Sequence, residues 1–269
     1  MRALKEKIKY LLNFIFGKII HLGFYKIIPE NELRAFIELL KPYDLGYELI
    51  RLGGDGDGGY LVPNALDNIK YCFSPGVGNL SQFEHDLEKK NIKSFLADFN
   101  VDQPKNLSLF DFEKKFIRSY ESGSSLEINN WIESKLNVMN LHNSILQLDV
   151  EGAEYEVINA ISNKNFDRFK IIVIEFHNLH LIGNRYFFEI VKGSIKKIKL
   201  KFEVCHIHPN NNQFLKSIGN LKFARDLEVT FLNKKFCEIK NKIKSLPHPL
   251  DLKVSKDNNE IYLPDYWYN

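Results

Sequence analysis

The sequence predicts an α/β fold built on a mostly parallel sheet. Three observations carry that reading. From about Tyr47 onward, short β-rich runs alternate with segments of helical period, the pattern that right-handed crossovers between parallel strands produce. Ile171-Ile-Val-Ile174 is an unbroken β-branched run, typical of a strand covered on both faces. The stretch from Ser144 to Ile158 reads as a buried strand (Ile145 to Leu148), two acids at its end (Asp149 and Glu151), a glycine turn at Gly152, and a helix opening at Ala153-Glu154. In open α/β sheets ligands bind beyond the C-terminal ends of the strands, so this last stretch proposes a site as well as a fold.

The elements follow in order. Residues 1–45 read as an N-terminal helical extension, broken at Ile28-Pro29. Its second helix has first-turn acids and apolar residues Leu33, Phe36, Leu39 and Leu40 at helical spacing. Residues 46–240 form the main domain. Strands are predicted at Leu49–Leu52, Tyr71–Ser74, Ser94–Ala97, Glu113–Ile117, Ile145–Leu148, Ile171–Ile174, Phe202–Ile207 and Leu227–Leu232. Helices are predicted at Gln82–Lys90, Leu126–Leu136, Ala153–Ile161 and Phe187–Leu200. The last two strands lack a long helix between them and so predict an antiparallel pair at one edge. Residues 241–269, rich in Pro, Asp and Asn, read as an extended tail packed on the domain.

Composition narrows the function. The 269 residues are 44% hydrophobic and 26% charged, enough apolar surface for a sizeable core. A net charge of +3, with no stripe of arginines among exposed aromatics, gives no footprint for nucleic acid. Cys72, Cys205 and Cys237 form no CxxC pair, and their odd count and wide spacing argue against a disulfide framework, which points to buried thiols and a reducing cytoplasmic compartment. At the N-terminus, Lys5, Lys7 and Lys9 accompany Ile8, Leu11, Leu12, Ile15, Ile19 and Leu22, which fall mostly on one helical face. The apolar run is too short and too interrupted to span a bilayer. Two readings stay open for residues 1–26: packing on the domain or on a second copy in a homo-oligomer, and peripheral contact with the inner face of a membrane.

Three groups of residues are candidates for chemistry. Ser74-Pro-Gly-Val-Gly78 sits between a strand and a helix, where glycines let backbone approach a ligand. Asp98 ends the next strand about twenty residues on, where Rossmann-like folds place the acid that accepts hydrogen bonds from ribose hydroxyls. The spacing fits a nucleoside without a pyrophosphate, such as S-adenosylmethionine. The second group is Gly53-Gly-Asp-Gly-Asp-Gly-Gly-Tyr60, a loop in which Asp55 or Asp57 can meet a cation or hydroxyls. The third is the set of strand ends: Asp149 and Glu151, Glu175 and His177, His206 and His208. Carboxylates and imidazoles at converging strand ends can act as general base or hold a divalent ion.

Taken together and in order, Arg51-Leu-Gly-Gly-Asp-Gly-Asp-Gly-Gly-Tyr60, Ser74-Pro-Gly-Val-Gly78, Leu146-Gln-Leu-Asp-Val-Glu-Gly-Ala-Glu-Tyr-Glu-Val157, Ile172-Val-Ile-Glu-Phe-His177, His206-Ile-His-Pro-Asn-Asn211 and Leu227-Glu-Val-Thr-Phe231 resemble the FkbM-like branch of class I S-adenosylmethionine-dependent methyltransferases. The resemblance covers roughly residues 47–233. It implies a seven-stranded Rossmann-like sheet with an antiparallel last strand, cofactor contacts from Gly76, Gly78 and Asp98, and O-methylation, often of sugars in surface polysaccharides. Many class I enzymes carry an acid before the first glycine, where this chain has Ser74-Pro75. The contact to the cofactor's amino group then falls to Asp55, Asp57 or Asp149.

The expectation is therefore an S-adenosylmethionine-dependent O-methyltransferase acting on a hydroxyl of a sugar or surface-glycan precursor. Asp149, Glu175 and His177 are expected to line the acceptor site, with Mg²⁺ or another divalent cation as an option, and His208 is an alternative base. Glu151 and Glu154 have a second explanation in the dipole of the helix they precede. Two other readings compete: a metal-dependent glycosyltransferase using Asp55 and Asp57, and a catalytically inactive methyltransferase fold serving as a scaffold at the membrane.

Overall fold

The structure, a computed structural model, describes residues 2–20, 27–79, 81–136, 142–212 and 214–269. Residues 21–26, the end of the segment expected to meet a membrane or a second copy, lie outside the described residues. The chain opens with helices α1 (Arg2–Ile20) and α2 (Glu30–Leu40). A short strand β1 (Tyr43–Asp44) leads to the hairpin β2 (Leu49–Leu52) and β3 (Tyr60–Pro63). Next come β4 (Tyr71–Pro75), α3 (Gln82–Glu88), β5 (Lys93–Ala97), β6 (Phe110–Glu113), β7 (Phe116–Arg118) and β8 (Ser125–Glu127). The second half holds α4 (Ile128–Lys135), β9 (Ser144–Leu148), α5 (Glu154–Ala160), α6 (Asn163–Phe166), β10 (Phe169–Phe176) and α7 (Arg185–Lys199). Strands β11 (Phe202–Pro209), β12 (Lys216–Ile218), β13 (Leu221–Phe223), β14 (Leu227–Asn233) and β15 (Asn241–Lys242) complete the fold.

Seven strands form the central sheet in the order β11-β14-β10-β9-β4-β5-β6. Pairing is parallel from β10 through β6, and β14 runs antiparallel between β10 and β11. The antiparallel strand is therefore inserted beside the edge. The chain builds outward from β4 toward β6, then returns to start the other half at β9. Strands β4 and β9 are thus neighbours whose connections leave in opposite directions, which opens a crevice beyond their C-terminal ends.

Alternation along the strands sorts side chains to two faces. Phe73, Leu146, Leu148, Ile172 and Ile174 share one apolar cluster with Trp131 of α4, Val157 of α5 and Val191 of α7. Phe73 lies at its centre, with ring centroids 4.9 Å from Phe95 and 5.1 Å from Trp131. Cys72, Ile145, Ile171 and Val173 face the other way, onto α3 and the β2–β3 hairpin. Helix α2 buries Leu33, Phe36, Ile37 and Leu40; Phe36 meets Phe188 of α7. Ile37 thus takes the place expected of Leu39, which is only partly buried.

Two expectations are corrected by the backbone. The edge strand predicted over Glu113–Ile117 lies at Phe110–Glu113, where it pairs with β5. After a turn at Lys114-Lys115, Phe116–Arg118 pairs instead with Ser125–Glu127 in a separate two-stranded sheet. Tyr60–Pro63, read as the end of a glycine loop, is a fully buried strand. The C-terminal tail reaches the core as well as the surface: Trp267 is buried against Phe223 and donates its indole N–H to the Lys222 carbonyl at 3.0 Å. All three cysteines are free, with Cys72 and Cys205 buried. Among the described residues no helix is long and apolar enough to cross a membrane.

The tail generates the first prediction. Trp267→Ala is expected to lower unfolding free energy by about 3–5 kcal/mol, the range for emptying a buried tryptophan site. Urea denaturation followed by circular dichroism measures it, and a change within error of zero would mean that the tail does not belong to the folded core.

Candidate active site

The crevice between β4 and β9 is a cavity of about 480 Å³. The chain passes from β4 into Gly76, whose φ is +83°. A Cβ at this position would lie 1.6 Å from the carbonyl oxygen of Asp149, so only glycine lets the two strand ends come this close. The Asp149 amide in turn donates to the Pro75 carbonyl at 3.4 Å. Gly78 donates its amide to Asp98 Oδ2 at 3.2 Å, and Asn100 donates to Oδ1 at 2.7 Å. Gly76, Gly78, Asp98, Asp57 and Asp149 all line the cavity. Asp55 does not: it lies exposed in the β2–β3 loop.

A hydrogen-bonded chain runs along the floor of this cavity. Glu84, on the first turn of α3, is buried, and burial pushes its carboxyl up to about 7. It is bonded to the Ser74 hydroxyl. Ser74 also lies 2.6 Å from Gln147 Oε1. A single hydroxyl proton serves one acceptor at a time, so Ser74 donates to Glu84 when that carboxyl is ionised, and to Gln147 when a protonated Glu84 donates to Ser74. Gln147 donates to the Tyr60 hydroxyl at 3.4 Å, and Tyr60 donates to Asp149 Oδ2 at 3.3 Å. Burial, then the charges of Asp149, Glu175 and Glu228, keep the Tyr60 phenol neutral. Ser74 stands where the resemblance expects an acid, and it recruits one from α3.

Beyond Asp149 the network continues through His177. Glu154 is fully buried at the start of α5. Its Oε1 accepts the amides of Val150 at 3.2 Å and Gly152 at 2.9 Å, and lies 3.0 Å from His177 Nδ1. These bonds hold the tight loop that places Glu151 and Gly152 in the left-handed region, with φ of 53° and 101°. They also fix the imidazole, leaving Nε2 3.8 Å from Asp149 Oδ1 and 3.5 Å from Glu151 Oε2. Burial alone would lower the His177 pKa. The hydrogen bond to Glu154 and the surrounding carboxylates outweigh it and raise the value to about 10. Asp149 moves up to about 7: burial and the carboxylates of Glu151, Glu154 and Asp57 exceed the stabilising effect of His177.

The sequence-predicted residues divide accordingly. Asp149 and His177 are brought together, with Glu151 as their third neighbour; the three offer ligand atoms within 4.8 Å of one another. Of the residues expected to line the acceptor site only Asp149 lines the cavity; His177 stands behind it, and Glu175 and His208 lie away from it. The cross-strand register puts Glu175 opposite Glu228, and Glu228 opposite His208, in one row beneath the β2–β3 hairpin. There Glu175 accepts a hydrogen bond from Asn210 at 2.8 Å, and burial beside Asp149 and Glu228 holds its carboxyl well above the usual range. His208 is bonded to Glu228 at 3.2 Å and faces Glu260 of the tail. His206 pairs with Asp251 of the tail at 3.0 Å.

Sequence reasoning passed over Glu84, Tyr60 and Gln147, and gave Glu154 a weaker role than it has. A capping acid and a buried orienting acid look alike in sequence, since both stand at the start of a helix. It also passed over Val101 and Phe116, which give the cavity an apolar wall beside Asp98. A pair of hydroxyl-accepting carboxylate oxygens next to such a wall suits a ribose and its base, so the residues present fit a nucleoside cofactor.

No curated protein matches the chain in sequence. Among solved structures it is similar to a fibrillarin/Nop5p complex, with 10% identity, a TM-score of 0.37, and coverage of 62% of this chain and 73% of the other. It is also similar to a SAM-dependent methyltransferase from Archaeoglobus fulgidus, with 14% identity, a TM-score of 0.36, and coverage of 61% and 86%. The family model of the methyltransferase FkbM domain matches residues 63–196, a span that runs from β3 through the Gly76, Asp98, Asp149 and His177 strand ends into α7. The chain is a methyltransferase and belongs to the FkbM family of S-adenosylmethionine-dependent enzymes.

Proposed function

We propose that the methyl acceptor is a hydroxyl of a neutral, polyhydroxylated molecule, a sugar or glycan precursor, and that Asp149 takes its proton. The observation that carries the reading is the position of Asp149: it lines the cavity, its Oδ1 is buried without a hydrogen-bond partner, and its pKa stands near 7. A general base works best when its pKa lies close to the working pH. Asp57 and Glu151 line the same cavity. Such an acidic lining repels phosphates and accepts hydrogen bonds from hydroxyls, which supports a neutral polyol over a nucleic acid. The family match to a methyltransferase leaves no support for the sugar-transferase reading of Asp55 and Asp57.

When bound, the cofactor supplies a methyl group already activated on a sulfonium centre. Gly76 and Gly78 would give it room, Asp98 would hold its ribose hydroxyls, and Asp57 would meet its amino group. Tyr60 anchors one carboxylate oxygen of Asp149 and leaves the other for the acceptor. His177, cationic at neutral pH, stabilises the ionised form of Asp149 before it takes the proton. It is a positioning residue, held in turn by Glu154.

A second reading adds a divalent cation. Asp149 Oδ1, Glu151 Oε2 and His177 Nε2 approach one another closely enough to share an ion, with Glu151 in the place first given to Glu175. Such an ion would have to displace the proton that Glu154 helps His177 to keep. Turnover unchanged by a chelator sets this reading aside.

The site yields three expected outcomes. Calorimetry is expected to show S-adenosylhomocysteine binding, weakened in Asp98→Ala by about 1.5–3 kcal/mol, the worth of hydrogen bonds to a charged group. No binding to the parent protein would remove the cofactor assignment. The kcat/KM is expected to fall about tenfold per pH unit below about 7, as Asp149 becomes protonated. Asp149→Asn should abolish that limb together with most turnover; a variant that keeps both would place the base elsewhere. Glu154→Gln is expected to lower the His177 pKa from about 10 toward the ordinary histidine range, because a neighbouring negative charge is lost. Proton NMR titration of the imidazole reads the shift, and an unmoved pKa would contradict the orienting role of Glu154.

A further inference from the structure

We infer that α1 docks the enzyme on an anionic phospholipid surface. Leu4, Ile8, Leu11 and Ile15 recur at spacings of four, three and four residues, which puts them in one stripe along the helix. In a helix that packs on its own domain such a stripe is buried. Here all four are 40–62% exposed. Helix α2 shows the contrast: its stripe of Leu33, Phe36, Ile37 and Leu40 is buried, each residue at 1% exposure or less. Among the described residues of α1, these four are therefore left for something outside the domain.

Charge decides what that is. Between Leu4 and Ile15, Lys5, Lys7 and Lys9 stand against a single acid, Glu6. Lys5 and Lys7 are exposed and Lys9 is half-buried. At 100° per residue, Lys7 falls on one flank of the stripe and Lys5 on the other. Lysines in these positions lay their stems along the apolar face and carry the ammonium groups up to lipid headgroups. A second copy of the helix is the competing occupant. The Leu-and-Ile spacing suits a coiled coil, but the next seam position after Ile15 falls on Lys18, which leaves an unbroken seam of two heptads, short of the three or four that sustain one. Two copies would also bring lysine-rich surfaces together with one acid each to offset them, whereas an anionic lipid surface attracts every lysine. The inference is independent of the acceptor reading, because no described residue of α1 lines the cavity.

Sedimentation of the full chain with vesicles of phosphatidylglycerol, and separately of phosphatidylcholine, tests it. The chain is expected to bind phosphatidylglycerol vesicles, to bind phosphatidylcholine vesicles far less, and to be released by salt. Replacing the two flanking lysines, Lys5→Gln and Lys7→Gln, is expected to weaken binding about twenty-five-fold, on the scale of roughly fivefold per basic residue near an anionic surface. Ile8→Ser with Leu11→Ser is expected to release the protein while leaving S-adenosylhomocysteine binding intact, which verifies the fold. The inference is overturned if the parent chain stays in the supernatant with phosphatidylglycerol, or if the glutamine variant binds as well as the parent. It is equally overturned if analytical ultracentrifugation shows a dimer that Ile8→Ser with Leu11→Ser dissolves while vesicle binding persists, since the stripe would then be an interface between copies.

Discussion

The close approach of two strand ends is the constraint on which the rest depends. Strands β4 and β9 belong to halves of the sheet built in opposite directions, and beyond them the backbone of Gly76 lies against the carbonyl of Asp149. That contact admits no side chain. It sets the turn from which the Gly78 amide reaches Asp98, and it fixes the starting point of the loop that carries Asp149, Glu151 and Gly152. One side of the cavity is thereby shaped for a nucleoside and the other for an acceptor, by a single packing requirement of the main chain.

Electrostatics then assigns the roles. Three carboxylates crowd around His177, and the imidazole answers by keeping its proton. Asp149 is the member of this group that also faces the cavity and has a free, buried oxygen. It is buried enough to have a high pKa and is steadied by a cation that does not itself need to react. The row behind it, Glu175, Glu228 and His208, has similar residue types and a different function. Closed under the hairpin and tied to Asn210 and to the tail, these residues pair with one another and brace the sheet.

Much of this was legible in the sequence, for identifiable reasons. The strands β4, β9, β10 and β14 are apolar runs bounded by glycine, acid or loop, so both the sheet and its antiparallel insertion could be read. Asp98 and Asp149 stood out because each directly follows such a run. What could not be read depended on which face a residue takes and on what covers that face. Glu175 and His177 differ by two positions and look equivalent, yet β10 ends at Phe176, so the first stays in the row under the hairpin and the second, just past the strand, meets Glu154 and Asp149. The hairpin was itself hidden, because Tyr60–Pro63 follows a glycine-rich loop and is only four residues long. Glu84 gave no signal beyond an acid in a first helical turn. Its meaning comes from Ser74, ten residues earlier and across the crevice.

The most direct test of the account is a crystal structure with S-adenosylhomocysteine bound. The account expects the ribose hydroxyls on the Asp98 carboxylate and the sulfur facing the Asp149 side of the cavity, with Tyr60 still bonded to Asp149. A cofactor seated with its sulfur away from Asp149, or in a cavity that does not include Gly76 and Asp98, would contradict it.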